Sequence, residues 1–150
     1  MDVNSEQYTA MKIDLKKKSL LNESEAFQVL IDERLPHFIA APVELTCRYE
    51  VKQMNRILLL RLMQRGFIKT ECQRCLATFE HDFVLESEMA VCRSEEIASA
   101  YQETYDVIVA ADDQIELKDL LIDNLYLFSA SVHQHIELCD RNQIKLMQDD

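Results

Sequence analysis

Two cysteines three residues apart are the sharpest chemical signal in this chain. Cys72 and Cys75 enclose Gln73 and Arg74, and a tight turn there would bring both sulfurs to the same side. Thiolates are preferred zinc ligands, and a structural zinc takes four ligands in a tetrahedron. Candidates for the other two ligands occur in two places, namely His133, His135 and Cys139 near the C-terminus, or His81 and Cys92 nearer the pair.

The same pair has other interpretations. Plain buried thiols need no ligand at all. A disulfide oxidoreductase would place the pair at the start of a helix, whose dipole lowers the thiol pKa, whereas the flanking residues 67–71 and 76–84 are typical of strands. A Cys–His nucleophile would need an oxyanion hole and a third partner, and no pattern supplies them. These patterns therefore identify no catalytic residues.

Charge is distributed unevenly along the chain. The net charge of -11 argues against nucleic acid as a partner, because phosphates are held by Lys and Arg. Residues 51–75, however, hold six bases and one acid, whereas residues 76–150 hold 17 acids and four bases. The basic segment supplies the candidate RNA contacts Arg56, Arg61, Arg65, Lys69 and Arg74. The alternative is that these cations pair with acids on adjacent strands.

Composition excludes several classes of protein. One glycine among 150 residues cannot build a phosphate-cradling loop, which needs several glycines at fixed spacing. No apolar run approaches the roughly 20 residues of a membrane helix, and the N-terminus lacks the features of a signal peptide. Five cysteines, an odd number, fit reduced thiols. We expect a cytoplasmic protein without a membrane partner or a small-molecule substrate.

The cysteine pair is predicted to lie within an antiparallel meander. Apolar and polar residues alternate from Val43 to Lys52, as in a strand with one buried face. Further strands are predicted over residues 57–63, 67–71 and 76–91. Gln64 to Gly66 would form a hairpin turn, since glycine adopts positive φ freely. The cysteines would occupy the next turn.

Two to three amphipathic helices are predicted to pack on this sheet. Phe27, Leu30 and Ile31 follow helical spacing within Asn22–Arg34, and Pro36 would end that helix. A short helix is expected over Ser94–Thr104, and a clearer one over Glu116–Phe128 with Leu117, Leu120, Leu121, Leu125 and Phe128 on its buried stripe. An apolar, β-rich run at 105–111 lies between them. The chain is therefore predicted to be a single α+β domain over residues 1–150.

Four segments resemble a bacterial family. Residues 71–76, Glu-Cys-Gln-Arg-Cys-Leu, resemble the hallmark of the YceD-like family, also called the large ribosomal RNA subunit accumulation protein. Residues 105–108 resemble its tyrosine-led strand, and residues 115–127 its acidic, then leucine-rich helix. Val132-His133 with Cys139 resembles its terminal histidine and cysteine. The resemblance spans residues 45–140 in the same order, with three departures. The gap from His133 to Cys139 is one residue longer than the family pattern, and the prolines before the histidine and the further C-terminal cysteine pair of some relatives are absent.

This resemblance implies a non-enzymatic cytoplasmic factor needed for accumulation or processing of 23S rRNA. Its pattern residues here are Cys72, Arg74, Cys75, His133 and Cys139, and it implies that the cysteine turn and the C-terminal segment meet in space. Cys72, Cys75, His133 and Cys139 are then the candidate zinc ligands. The expected partner is ribosomal RNA, bound by the basic segment. The alternatives are an acidic assembly chaperone that binds a basic ribosomal protein without direct RNA contact, or a metal or redox protein built on the cysteine pair.

Overall fold

A five-stranded sheet is the centre of the computed structural model, which describes residues 11–21 and 24–139. The strands are β1 (Lys12–Asp14), β2 (Glu25–Ile31), β3 (Val43–Met54), β4 (Ile57–Glu71), β5 (Thr78–Cys92), β6 (Asp106–Val109) and β7 (Gln114–Glu116). The order in the five-stranded sheet is β2-β3-β4-β5-β6, and a separate antiparallel pair joins β1 to β7. The helices are α1 (Leu15–Leu21), α2 (Glu95–Tyr101) and α3 (Leu117–Phe128), followed by a 3-10 turn (Ile136–Leu138).

The predicted α+β class and antiparallel meander are confirmed. Strands β2 to β5 pair antiparallel with their sequence neighbours, whereas β6 joins β5 in parallel after the short helix α2. Ser94 caps α2, since its hydroxyl accepts from the backbone N–H of Ile97. In the described part of the chain, no helix combines the length and the apolar character that a membrane span requires.

The alternation of β3 places its apolar residues in the core. Val43, Leu45, Cys47, Tyr49 and Val51 are all buried, and the residues between them face outwards. Helix α3 covers the core with Leu117, Leu121 and Leu125, none of which is exposed to solvent. The predicted stripe is wrong at its last residue, because Phe128 is 57% exposed and not buried. The helix is therefore buried from Leu117 to Leu125, about two and a half turns, and open at its C-terminal end.

The predicted helix over residues 22–34 is wrong. Residues 25–31 form the edge strand β2, while residues 22 and 23 lie outside the described residues. Phe27, Val29 and Ile31 also alternate along the chain, and in β2 they face the core. Pairing with β3 satisfies the backbone hydrogen-bonding groups along one side of β2, and β-branched Val29 and Ile31 suit a pleated surface. Pairing with β3 therefore decides in favour of a strand, although Leu30 lies at a position that suits a helix.

The predicted turn at Gln64–Gly66 is also wrong. Strand β4 runs without interruption from Ile57 to Glu71, and Gln64 is fully buried within it. The Asn124 side chain donates to Gln64 Oε1 at 2.5 Å, so this polar pair fastens α3 to the sheet. Gly66 lies where β4 leaves β3, since the ladder between them ends at Thr46 and Arg65. A Cβ at Gly66 would lie 2.5 Å from the Glu44 carbonyl oxygen, so close backbone approach explains the glycine.

Candidate metal centre

The turn between β4 and β5 buries the cysteine pair. The last part of β4 pairs with residues 38–40, since Glu71 N donates to Phe38 O at 2.8 Å. The chain then reverses through a tight turn in which Leu76 N donates to Cys72 O at 2.7 Å and Leu76 adopts a left-handed φ of 67°. Neither Cys72 nor Cys75 is exposed to solvent. The predicted turn is confirmed, and both thiols point into the molecule.

The segment after α3 crosses this turn and closes the site. Gln73 N donates to Ser131 O at 2.8 Å, and His133 N donates to Cys72 Sγ at 3.4 Å. These bonds hold His133 over the thiols, and the following 3-10 turn returns Cys139 to the same place, where it is 6% exposed. The cysteine turn and the C-terminal segment therefore meet in space, as predicted.

The four donor atoms have the spacing of a tetrahedral ligand set. Cys72 Sγ lies 3.8 Å from Cys139 Sγ, which lies 3.4 Å from His133 Nδ1. Cys75 Sγ lies 3.6 Å from the same nitrogen, and all four donor atoms lie within 4.8 Å of one another. A zinc ion with Zn–S bonds of about 2.3 Å holds sulfurs about 3.8 Å apart in a tetrahedron. The donor set Cys72, Cys75, His133 and Cys139 therefore fits a metal ion.

Hydrogen bonds prepare the Cys72 thiol to carry negative charge. Burial raises the pKa of the Cys72 thiol, but backbone N–H groups of His133, Cys75 and Arg74 outweigh it and lower that pKa to about 6. Burial also raises the pKa of the Cys139 thiol, which Arg74 opposes. Arg74 Nε donates to Cys139 Sγ at 3.2 Å, and a second nitrogen donates to His133 O at 2.9 Å. A guanidinium at this position stabilises thiolate ligands.

An aromatic ring also fixes the histidine. Phe79 of β5 stacks on His133 with ring centroids 4.3 Å apart and 29° between the planes. Phe79 and Val132 close the apolar side of the cysteine cluster. The sequence does not identify Phe79 as part of the site. Its alternation along β5 predicts only the face on which it lies.

Comparison of the chain with protein-family models, with curated proteins and with solved structures finds no match.

The other predicted ligands lie elsewhere. His135 is exposed, and Cys92 belongs to a small apolar cluster with Ile57 and Ala98. Cys47 is a core thiol, as predicted, and burial raises its pKa to about 12. The ring of His81 lies beside that of Phe79, at a centroid distance of 5.6 Å, and His81 is not one of the four clustered donor residues.

The five candidate RNA contacts have different surroundings. Arg61 lies between Glu50 and Glu88 of the neighbouring strands, at 3.3 Å and 3.0 Å, and Arg65 pairs with Asp82 at 3.1 Å. These two therefore follow the alternative interpretation of pairing across strands. Arg74 contacts the cysteine cluster.

The two remaining candidates lie far apart. Arg56 and Lys69 are exposed near opposite ends of β4, on the order of 40 Å apart along the strand at about 3.3 Å per residue. Neither forms an ion pair with another described residue. The five cations consequently form no single cluster.

His81 is expected to destabilise the protein in acid. Both ring nitrogens are buried without a hydrogen-bond partner among the described residues, and burial lowers the pKa of His81 below 6.5, opposed by Asp82. The unfolded chain thus takes up the proton first, so this contribution to stability is complete above about pH 6.5 and is lost as the pH falls towards the folded pKa.

His81→Phe tests this expectation. The variant keeps an aromatic ring beside Phe79 and removes the titrating nitrogens. Urea midpoints at about pH 7.5 and about pH 5.5 should fall less in the variant than in the wild type, and the difference isolates His81 from other groups that titrate in this window. Equal losses in both proteins would refute the assignment.

Proposed function

We propose that this protein is a non-enzymatic factor for assembly of the large ribosomal subunit, with its C-terminal segment fixed by a structural zinc ion. One observation carries the proposal. Five of the residues through which the sequence resembles the YceD-like family, separated by up to 67 positions, converge on one site: Cys72, Arg74, Cys75, His133 and Cys139. Residues that match a family pattern by chance have no reason to meet in space. Their convergence therefore supports the resemblance. The proposed location is the cytoplasm.

The donor set favours a structural metal over a catalytic one. Structural zinc sites are closed by four protein ligands, whereas catalytic sites keep a position for water or substrate. Cys72, Cys75, His133 and Cys139 would occupy all four positions, and the three cysteines are buried. Such an ion would fasten residues 131–139 to the β4–β5 turn and supply folding energy there.

A basic ribosomal protein is the second candidate partner. The ion pairs of Arg61 and Arg65 neutralise part of the outer face of the sheet. Glu44, Glu71, Glu80 and Glu86 remain exposed on that face, where no described residue forms an ion pair with them. The exposed cations Arg48, Lys52 and Lys69 share this face, so the acids are in small excess there. Such an excess favours a cationic partner through electrostatic complementarity. In this form of the proposal the protein acts as an assembly chaperone and contacts RNA indirectly.

The assembly role is tested by measuring precursor and mature 23S rRNA in cells that lack the gene. We expect precursor to accumulate and mature 23S rRNA to fall, with recovery on expression of the wild type but not of Cys75→Ser. Expression of Arg61→Glu with Arg65→Glu tests whether the outer face contacts RNA. Normal rRNA in the deletion would overturn the proposal. Nuclease-resistant co-purification of a ribosomal protein would favour the chaperone form over direct RNA binding.

Arg74→Gln is expected to weaken zinc binding by about 10- to 100-fold, as for other groups that orient metal ligands. Three thiolates and one neutral imidazole would leave the zinc site with one net negative charge, which Arg74 offsets through its contact with Cys139. Competition with a chromogenic chelator measures the affinity. Arg48→Gln is the matched control, because it removes an exposed cation of β3 far from the thiols. Equal affinities in the two variants would show that Arg74 has no such role.

A further inference from the structure

A small depression lies at the end of the sheet where β3 turns into β4. Its volume is about 260 Å³, below the range of about 300–1,000 Å³ typical of sites for drug-sized molecules. Three cationic side chains from separate elements line it, along with apolar residues of β4 and β5. The cations are Lys16 of α1, Arg56 of the β3–β4 turn and Arg93, which follows β5.

The existing contacts of these cations leave positive charge in the depression. Arg93 makes two hydrogen bonds to the Asp113 carboxylate, at 3.1 Å and 2.6 Å, and Asp113 is the one acid in the lining. Lys16 donates to the neutral Gln53 side chain, which is not an acid and does not offset its charge. Arg56 is exposed and forms no ion pair with any described residue. One acid against three cations gives the lining a net charge of two positive units.

These contacts also give the depression a fixed shape. Asp113 is held in a left-handed conformation with φ of 60°, and its carbonyl accepts from Leu15 N at 2.8 Å. The Asp113 carboxylate in turn orients the Arg93 guanidinium. A planar guanidinium presents paired N–H donors to phosphate oxygens, and a second cation nearby adds to the attraction. The site is therefore partly preorganised for an anion.

We propose that this depression binds a phosphate group, and that the phosphate belongs to the backbone of an RNA strand. The second part rests on the function proposed above. A chain with a net charge of -11 repels RNA on average, so binding requires a local cationic site. Of the predicted RNA contacts, Arg56 combines exposure, freedom from ion pairs with described residues and neighbouring cations. Arg61, Arg65 and Arg74 already have partners.

Salt-dependent RNA binding tests the assignment. Anisotropy of a labelled single-stranded oligouridylate is measured over a series of salt concentrations for the full-length, zinc-loaded wild type, Arg56→Gln and Arg56→Lys. On a single strand each phosphate contact contributes about 0.7 to the slope of log affinity against log salt. We expect Arg56→Gln to weaken binding and lower this slope by about 0.7, and Arg56→Lys to keep it. Arg48→Gln, an exposed arginine outside the depression, should leave both unchanged.

Inorganic phosphate distinguishes the source of the ligand. Amide shifts near Arg56 and Arg93 on its addition, without an effect of Arg56→Gln on the oligonucleotide, would assign the site to a free phosphate. No response to either ligand, or equal losses in Arg56→Gln and Arg48→Gln, would overturn the site. The result is independent of the assembly role, because these titrations use purified protein whereas that role is judged by 23S rRNA in the deletion.

Discussion

Replacing Cys75 with serine is expected to reduce bound zinc from about one equivalent to near zero and to release residues 131–139 from the β4–β5 turn. A serine hydroxyl stays protonated near neutral pH and is a poor zinc ligand, so three donors remain. Structural zinc contributes about 10–16 kcal/mol of apparent binding free energy in zinc-finger peptides near pH 7. Elemental analysis measures the metal, and hydrogen exchange of residues 131–139 measures the release.

The extent of unfolding should be local. The main core comprises residues of β2 to β5 and α3, such as Leu45, Leu60 and Leu121, none of which belongs to the cysteine cluster. Exchange should therefore rise at residues 131–139 and in the cysteine turn, whereas β3 and β4 stay protected. A chelator should reproduce this pattern in the wild type. Unchanged protection of residues 131–139 after zinc removal would contradict a fastening role.

Cys47→Ala is the matched control. Cys47 is also buried, but it lies in the main core and belongs to no ligand set. The variant should lose stability through the small cavity and keep its full equivalent of zinc. Wild-type protein purified without any zinc, with a Cys72 thiol that titrates near its expected pKa of about 6, would instead favour the redox interpretation of the cysteine pair.

Local patterns predict the elements of this fold where one face is buried and the other is wet. The alternation of Val43 to Lys52 and the apolar stripe of α3 each specify a period and a buried face. The first is confirmed, and the second is confirmed as far as Leu125. The pairing of elements is not local. Cys72 and His133 are 61 positions apart, and no periodicity specifies that Ser131 bonds to Gln73. Only the resemblance to a family pattern predicted that the two segments meet.

The two wrong predictions share a physical cause. Phe27 to Ile31 fits a helical and an extended period equally, and the free edge of β3 decides in favour of the strand. The predicted turn at Gly66 rests on the conformational freedom of glycine, whereas the structure requires the absence of a Cβ there. In both cases a distant part of the chain selects between local alternatives. Arg61 and Arg65 show the same for charge, since their cross-strand acids decide which cations remain free.

Gly66→Ala is expected to destabilise the protein by about 1–3 kcal/mol, the usual range for overpacking, and to lower the Tm by about 2–12 °C. The added Cβ would lie 2.5 Å from Glu44 O and 3.0 Å from Leu45 Cδ2. The Glu44 backbone cannot retreat freely, because it pairs with Leu30 of β2. Thermal unfolding of the zinc-loaded protein measures the effect. Met63→Ala, on the exposed side of the same strand, should change stability by only about 0.5 kcal/mol.

The same substitution should weaken zinc binding, which separates it from an ordinary core defect. If the Glu44 backbone stays with β2, the strain moves the other partner, residues 67–71 of β4, which lead directly into Cys72. A displaced Cys72 would lie outside the 3.8 Å spacing that it keeps with Cys139. Chelator competition should therefore show a lower zinc affinity for Gly66→Ala and an unchanged affinity for Met63→Ala. A destabilised Gly66→Ala protein with wild-type zinc affinity would show that β3 moves instead of β4. The glycine would then be required for packing of the sheet and not for the zinc site.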